Sequence, residues 1–272
     1  MTQRTAEPSS TDADALYVFA VCGTRAPAGF TGLPGVPGGE AVRTLPFGEL
    51  TAVVQTVRAA DFTEEAWQAR LSDRPQLERY ARAHHHVVSA AAEHGPVVPL
   101  PLATLYHGEQ RARSALAEET ARFRAVLERT AGHAEWGVKV YSAGSAAPEP
   151  TGPAPSVPAD RAASPAPGAG LAYLERKRGM QARRNQRQDE AIRTAEAVDA
   201  EFRKVAAAAR RLRPHAPELA GDPRVQVLNA TYLVPKAGEA ELGTLTRRLR
   251  ESTGARIELS GPWVPYSFVG EV

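Results

Sequence analysis

ALYVFAVC, residues 15–22, is a continuous apolar run rich in β-formers, with no polar residue breaking it. Such a run is suited to a strand covered on both faces, whereas a half-solvated strand would alternate. The chain before it, MTQRTAEPSSTDAD, is polar and aperiodic, so residues 1–13 read as a disordered tail. It also lacks the apolar core of a secretory signal peptide. After the run comes GFTGLPGVPGG, residues 29–39, with glycines at 29, 32, 35, 38 and 39. Its period of three is far too short-lived for a triple helix. No Walker lysine or strand-to-helix context accompanies it, so it reads as a loop rather than a phosphate cradle.

Further outward, Val42 to Phe47 and Leu50 to Val57 form a hairpin pattern about Gly48-Glu49. Asp61 and Thr63 offer N-caps for a short helix through Trp67 and Leu71. Asp73 and Pro75 open a longer helix with the stripe Leu77, Tyr80, His84, Val87 and Ala91, spaced to face a sheet. Gly95-Pro96 stops it. VVPLPLATLY then reads as a strand whose prolines place it at an edge or bulge. Residues 109–130 read as one helix facing inward through Leu116, Phe123, Val126 and Leu127, and EWGVKVY, 135–141, as a strand.

Residues 143–169, dominated by Ala, Pro, Ser and Gly, offer little to bury and read as a disordered linker or loop. A long helix over 171–213 follows, with the stripe Ile192, Ala195, Val198, Phe202, Val205, Ala209, Leu212, ended by Pro214 and Pro217. A strand (225–234), a helix (239–252) and the extended segment RIELSGPWVPYSFVG complete the chain.

The 272 residues allow one large or two small domains. A net charge of +2 gives no bulk electrostatic reason for a nucleic-acid or membrane partner. No stretch approaches the roughly 18 apolar residues of a membrane span. The single cysteine, Cys22, cannot form an intrachain disulfide, and a cytoplasmic location is the expectation.

A search for chemistry returns little. His84, His85 and His86 are adjacent on a helix, where neighbours point about 100° apart, so their rings cannot converge on a metal. His84, on the apolar stripe, reads as a hydrogen-bonded core residue. Cys22 lies in a strand where a thiol behaves as a small hydrophobe. Neither G-x-S-x-G, paired cysteines nor a spaced acid–base pair is present. We expect no catalytic, metal or cofactor site. Arg176, Lys177, Arg178, Arg183, Arg184 and Arg187 form a basic cluster, interleaved with Glu175, Asp189, Glu190 and Glu196 as on a solvated face. Part of the stripe Ile192, Val198, Phe202 and Val205 is a candidate docking surface if its own sheet leaves it uncovered; the alternative is that all of it is core.

Several segments together resemble the GvpL/GvpF family of gas vesicle proteins. They are LYVFAV, FGELTAVVQTV, ARAHHHVVSAAAEHGPVVPLPLATLY, EWGVKVY, AYLERKR, LNATYLV and LSGPWVPYSFV, spanning nearly the whole chain outside the tail and linker. EWGVKV and GPWVPYSF are the most specific. The sequence departs from the family pattern where Val264 precedes Pro265, in place of a Pro-Pro pair, and where Ala103 stands for a glycine.

The resemblance implies a two-domain α+β protein. We expect an N-terminal domain (14–133) with a ferredoxin-like antiparallel sheet and helices, and a C-terminal domain (134–272) with a small sheet and the long helix. It further implies a non-enzymatic accessory protein of gas vesicle assembly that engages the hydrophobic shell protein or other accessory proteins, located with the vesicle in the cytoplasm. Trp263 and Tyr266 join Ile192, Val198, Phe202 and Val205 as expected interaction residues. A ligand-binding regulatory module and a nucleic-acid binder using the basic helix are the rival readings; the expected partners include neither nucleic acid nor membrane.

Overall fold

The computed structural model describes residues 14–23, 32–141, 169–213 and 225–270. The expected tail, the linker up to residue 168 and the Pro214–Pro217 stop lie outside the described residues. The fold is α+β, built on two antiparallel sheets. Two compact units divide the chain between Glu135 and Trp136, and the segment from Pro262 onward belongs to the first. That last assignment differs from the sequence expectation, which placed the tail with the second half.

In the first unit, β1 (Asp14–Gly23), β2 (Arg43–Phe47), β3 (Leu50–Arg58) and β4 (Val97–Pro99) lie in the order β2-β3-β1-β4. The short β5 (Leu105–Tyr106) pairs β1 on the same side as β4. As its composition predicts, β1 is covered on both faces. Tyr17 and Phe19 belong to one apolar cluster with Tyr80, Val87 and Val88 of α2 (Arg74–Ala92). Leu16, Val18 and Val21 belong to another, with Leu116 of α3 (Glu109–Glu118) and Phe123 and Val126 of α4 (Thr120–Thr130). The pairing with β3 shifts register between Val18 and Ala20, leaving Phe19 as the extra residue. That bulge lets Phe19 and Ala20 both serve the first cluster, where strict alternation would have turned one away.

Local chemistry sets the helix starts. Thr63 Oγ1 accepts from Ala66 N (3.3 Å) at the head of α1 (Glu64–Ser72), and Asp73 Oδ1 accepts from Gln76 N (3.0 Å) at the head of α2. In α1, Leu71 is exposed and Arg70 is buried instead. The Arg70 guanidinium lies 4.1 Å from the ring centroid of Tyr80, 5.2 Å from Phe62 and 5.4 Å from Trp67, and it donates to Asp61 O (3.0 Å).

The glycine-rich loop serves the fold itself. Buried Gln55 accepts from Val36 N (2.9 Å) and donates to Val36 O (3.1 Å) and Glu40 O (2.7 Å). A Cβ at Gly35 or Gly39 would overlap its amide, so these two positions need glycine for the loop to close over Gln55.

Three expectations are corrected. The 109–130 helix is interrupted at Glu119, where the backbone turns to φ −96°, ψ 8°. The 97–106 strand is split into β4 and β5 by a turn carrying Ala103 at φ 64°. The long helix α5 (Ala169–Val205) ends eight residues short of Arg213. Ala208–Arg211, which reads as helix by propensity, forms β7 against β8 (Gln226–Pro235), from Ala208 opposite Leu233 to Arg211 opposite Ala230. Ladder pairing overrides alanine's helix preference there.

The second sheet has the order β7-β8-β6-β9, with β6 (His133–Tyr141) and β9 (Arg256–Trp263). EWGVKV thus belongs to this sheet. With α6 (Glu239–Thr253), the chain order β6-α5-β7-β8-α6-β9 is the β-α-β-β-α-β of a ferredoxin-like unit. One apolar cluster joins Val138 and Val140 of β6, Val198 and Phe202 of α5, Tyr232 of β8 and Leu242 of α6. Gly254 at φ 64° ends α6, its N–H returning to Arg250 O (3.0 Å). Beside the cluster, the buried Asp199 carboxylate accepts from Tyr232 Oη (2.6 Å), Arg203 Nε (3.1 Å) and Arg211 Nη2 (2.7 Å), tying α5 to β7 and β8. Burial works against its charge, but those donors outweigh burial and hold the carboxyl below its usual range.

Candidate functional site

The tail's return to the first unit creates a junction of elements distant in sequence. Val264 and Tyr266 pack on the α2-side cluster and Val269 on the α4-side cluster. The Glu135 carboxylate accepts from Ser267 N (2.8 Å) and Ser267 Oγ (2.6 Å), and Arg129 Nη2 donates to Phe268 O (2.6 Å). Glu135 and Ser267, drawn from the two most specific segments of the sequence, are therefore latched to each other within the first unit.

The histidine run contributes as helical geometry dictates: His84 is buried, His85 half-buried and His86 exposed. His84 Nδ1 meets Tyr17 Oη at 2.9 Å, and Tyr17 Oη also accepts from Ala103 N (3.1 Å). Burial pushes His84 down to about 4 and Tyr17 up to about 12, so the pair is neutral at physiological pH. His85 lies against two rings of the tail, with centroids 6.0 Å from Trp263 and 5.9 Å from Tyr266, and Nδ1 is 3.4 Å from Tyr266 Oη. Burial raises the Tyr266 hydroxyl well above the usual tyrosine value, with neighbouring Tyr17 adding to the rise.

The six expected interaction residues separate. Trp263 is 49% exposed, standing on His85, with Tyr266 partly buried beneath. Ile192 is 48% exposed on α5. Val198 and Phe202 have no exposure and are core, because the second sheet covers that part of the stripe; this corrects their expected role as contact residues. Val205 is half-buried and, with Leu242, Leu245 and Arg248, lines a cavity of about 390 Å³.

Sequence reasoning weighed His85 only as a metal ligand, and it did not single out Glu135 or Ser267 individually. Their partners lie 132 to 181 residues away, and such pairings leave no local period to read. Among the described residues, no group of three His, Cys, Asp or Glu side chains is arranged to hold a metal ion. Burial pushes the Cys22 thiol up to about 11, and it donates to Thr51 O (3.3 Å), which makes it an unreactive core group. No described helix is long and apolar enough to cross a membrane.

The comparisons with known proteins agree with this fold. A sequence model of the family described as "Gas vesicle synthesis protein GvpL/GvpF" matches residues 15–270. Gas vesicle protein L of Streptomyces sp. (strain CB03234) is 40% identical over 238 residues, covering 86% of this chain and 85% of that protein. The crystal structure of GvpF from Anabaena sp. PCC7120 superposes with a TM-score of 0.64 at 13% identity, covering 96% of this chain and 98% of the other. GvpF from Microcystis aeruginosa gives 0.61 at 14%, covering 94% and 99%. At those identities the two structures establish the fold, while the sequence match establishes kinship: the chain belongs to the GvpL/GvpF family of gas vesicle proteins.

Proposed function

We propose that the protein is a non-enzymatic accessory protein of gas vesicle assembly, located with the vesicle in the cytoplasm. It binds the hydrophobic shell protein, or another accessory protein, through the Trp263 patch. The observation carrying this reading is a half-exposed tryptophan set against His85, which also faces Tyr266, while the tail bearing it is latched by Glu135. An aromatic side chain fixed in advance loses little conformational entropy on binding, which is why such residues dominate the energetics of protein interfaces.

Purified cognate shell and accessory proteins should be captured by the wild-type chain and lost, or weakened at least tenfold, with Trp263→Ala. Because half of the residue is already in water, that substitution should lower stability by about 2 kcal/mol, about half the loss for a fully buried aromatic. Equal capture by both proteins would sink the assignment of the patch. Capture of no gas vesicle protein by either would sink the functional reading.

A further inference from the structure

The helix α5 is far longer than the sheet it packs on. Its apolar contacts begin at Ala195, and residues 174–191 extend beyond them for roughly 27 Å at 1.5 Å per residue. Across that length Leu174 and Met180 are exposed, as are Lys177, Arg178, Arg183 and Arg187. Residues 174–191 hold six cations against three carboxylates, Glu175, Asp189 and Glu190, a net excess of positive charge. Among the described residues, no ion pair engages Lys177, Arg178, Arg183 or Arg187. By contrast, the packed end pairs Arg203 and Arg211 with Asp199, and Lys204 and Arg248 with Glu201. The helical line through Ala195, Val198 and Phe202 continues outward through Ala191, Arg187, Met180 and Lys177, at steps of three and four or their sum. The face that is core over the sheet thus becomes cationic beyond it.

We propose that this arm is a docking element for an acidic amphipathic helix of a partner protein. Unneutralised cations on a helix without tertiary cover call for a carboxylate-rich counterpart. Apolar Met180 and Ala191 on the same line call for apolar side chains between those carboxylates. A phosphate backbone would leave Met180 and Leu174 without a partner. A lipid surface needs a broad apolar face, whereas cations at 177, 178 and 183 surround this helix. The arm is distinct from the Trp263 patch, so either can fail without the other.

The test uses the full chain with a synthetic amphipathic helix of leucine and glutamate as probe. A leucine–lysine helix, a DNA duplex and phosphatidylserine vesicles serve as comparisons. The glutamate probe should bind with an affinity that falls on adding salt and should raise hydrogen-exchange protection over 174–191. Lys177→Glu, Arg183→Glu and Arg187→Glu together should weaken the glutamate probe at least tenfold and bring on binding of the lysine probe. A reversed variant that binds the glutamate probe as well as wild type overturns the proposal. So does tighter binding to DNA or vesicles, or no binding to the glutamate probe.

Discussion

β1 and β6 occupy the same place in the strand orders β2-β3-β1-β4 and β7-β8-β6-β9, yet their burial differs. Every residue of β1 from Ala15 to Cys22 is buried, and apolar clusters lie on both of its faces. In β6, Val138 and Val140 are sealed in one cluster, whereas Lys139 between them and Gly137 before them are half-exposed. The cause is where the helices lie. Those of the first unit contribute to two clusters, while α5 and α6 contribute to the same one. Two helices on one face leave the second unit dependent on a single apolar layer, and they leave α5 longer than anything it covers. The difference marks the first unit as the more redundantly held, and substitutions can break or sharpen that contrast.

The largest effect is expected at Phe202, fully buried against Tyr232 with ring centroids 5.2 Å apart. Phe202→Ala should cost about 3–5 kcal/mol, the usual range for removing a core phenylalanine. Hydrogen exchange should show protection lost across β8 and α6 and kept in β1 and β3. Equal loss in β1 would mean that the two units unfold as one.

Asp199→Ala comes next, at about 3 kcal/mol, because it leaves the Tyr232 hydroxyl and two guanidinium groups without their shared acceptor. Its pH dependence has a definite sign. The folded carboxyl titrates below its usual value, so its stabilisation is complete above about pH 4 and is lost as pH falls through the folded value. Wild type should therefore lose stability more steeply than Asp199→Ala in acid denaturation below about pH 4. Parallel curves would show that the carboxylate contributes nothing to the second unit.

These two residues also show what the sequence could convey. Phe202 lies on a stripe of period 3.6, so its inward orientation was legible, although whether its own sheet or a partner covered it was not. β1 was legible because continuous burial leaves a continuous apolar run. β7 was hidden, since an alanine and arginine segment favours helix until β8 offers it a ladder. Arg70 was hidden because charge hides a buried role that three aromatic rings make tenable. The Trp263 patch was half legible. Its tryptophan stood out in a specific motif, but His85 and the Glu135 latch depend on contacts between segments far apart in the chain.

A smaller effect should come from the latch. Ser267→Ala removes one of the two donors from Ser267 to Glu135 and should cost about 1 kcal/mol. Exchange should quicken at residues 264–269 and stay unchanged in the second unit's core. If protection at the tail is unaltered, the apolar seats of Val264 and Phe268 suffice to hold it.

The smallest effect is a gain, at the residue that parts β4 from β5. Ala103 is the only non-glycine residue with positive φ among the described residues. The left-handed region costs an L-residue about 1–2 kcal/mol because Cβ crowds the following carbonyl, and glycine avoids this at an entropic cost of about 0.5–1 kcal/mol. Ala103→Gly should thus stabilise the first unit by about 0.5 kcal/mol, read as a small rise in denaturation midpoint with an unchanged denaturant slope. The strain persists because Ala103 N is fixed by the Tyr17 hydroxyl, which is itself held by His84, so the turn cannot relax without exposing a buried pair. Removing that hold with Tyr17→Phe should cancel part of the gain, since the freed turn can then ease Ala103 out of the left-handed region. If the glycine effect is the same in both backgrounds, the hydrogen bond does not impose the turn and the packing of the split strand does.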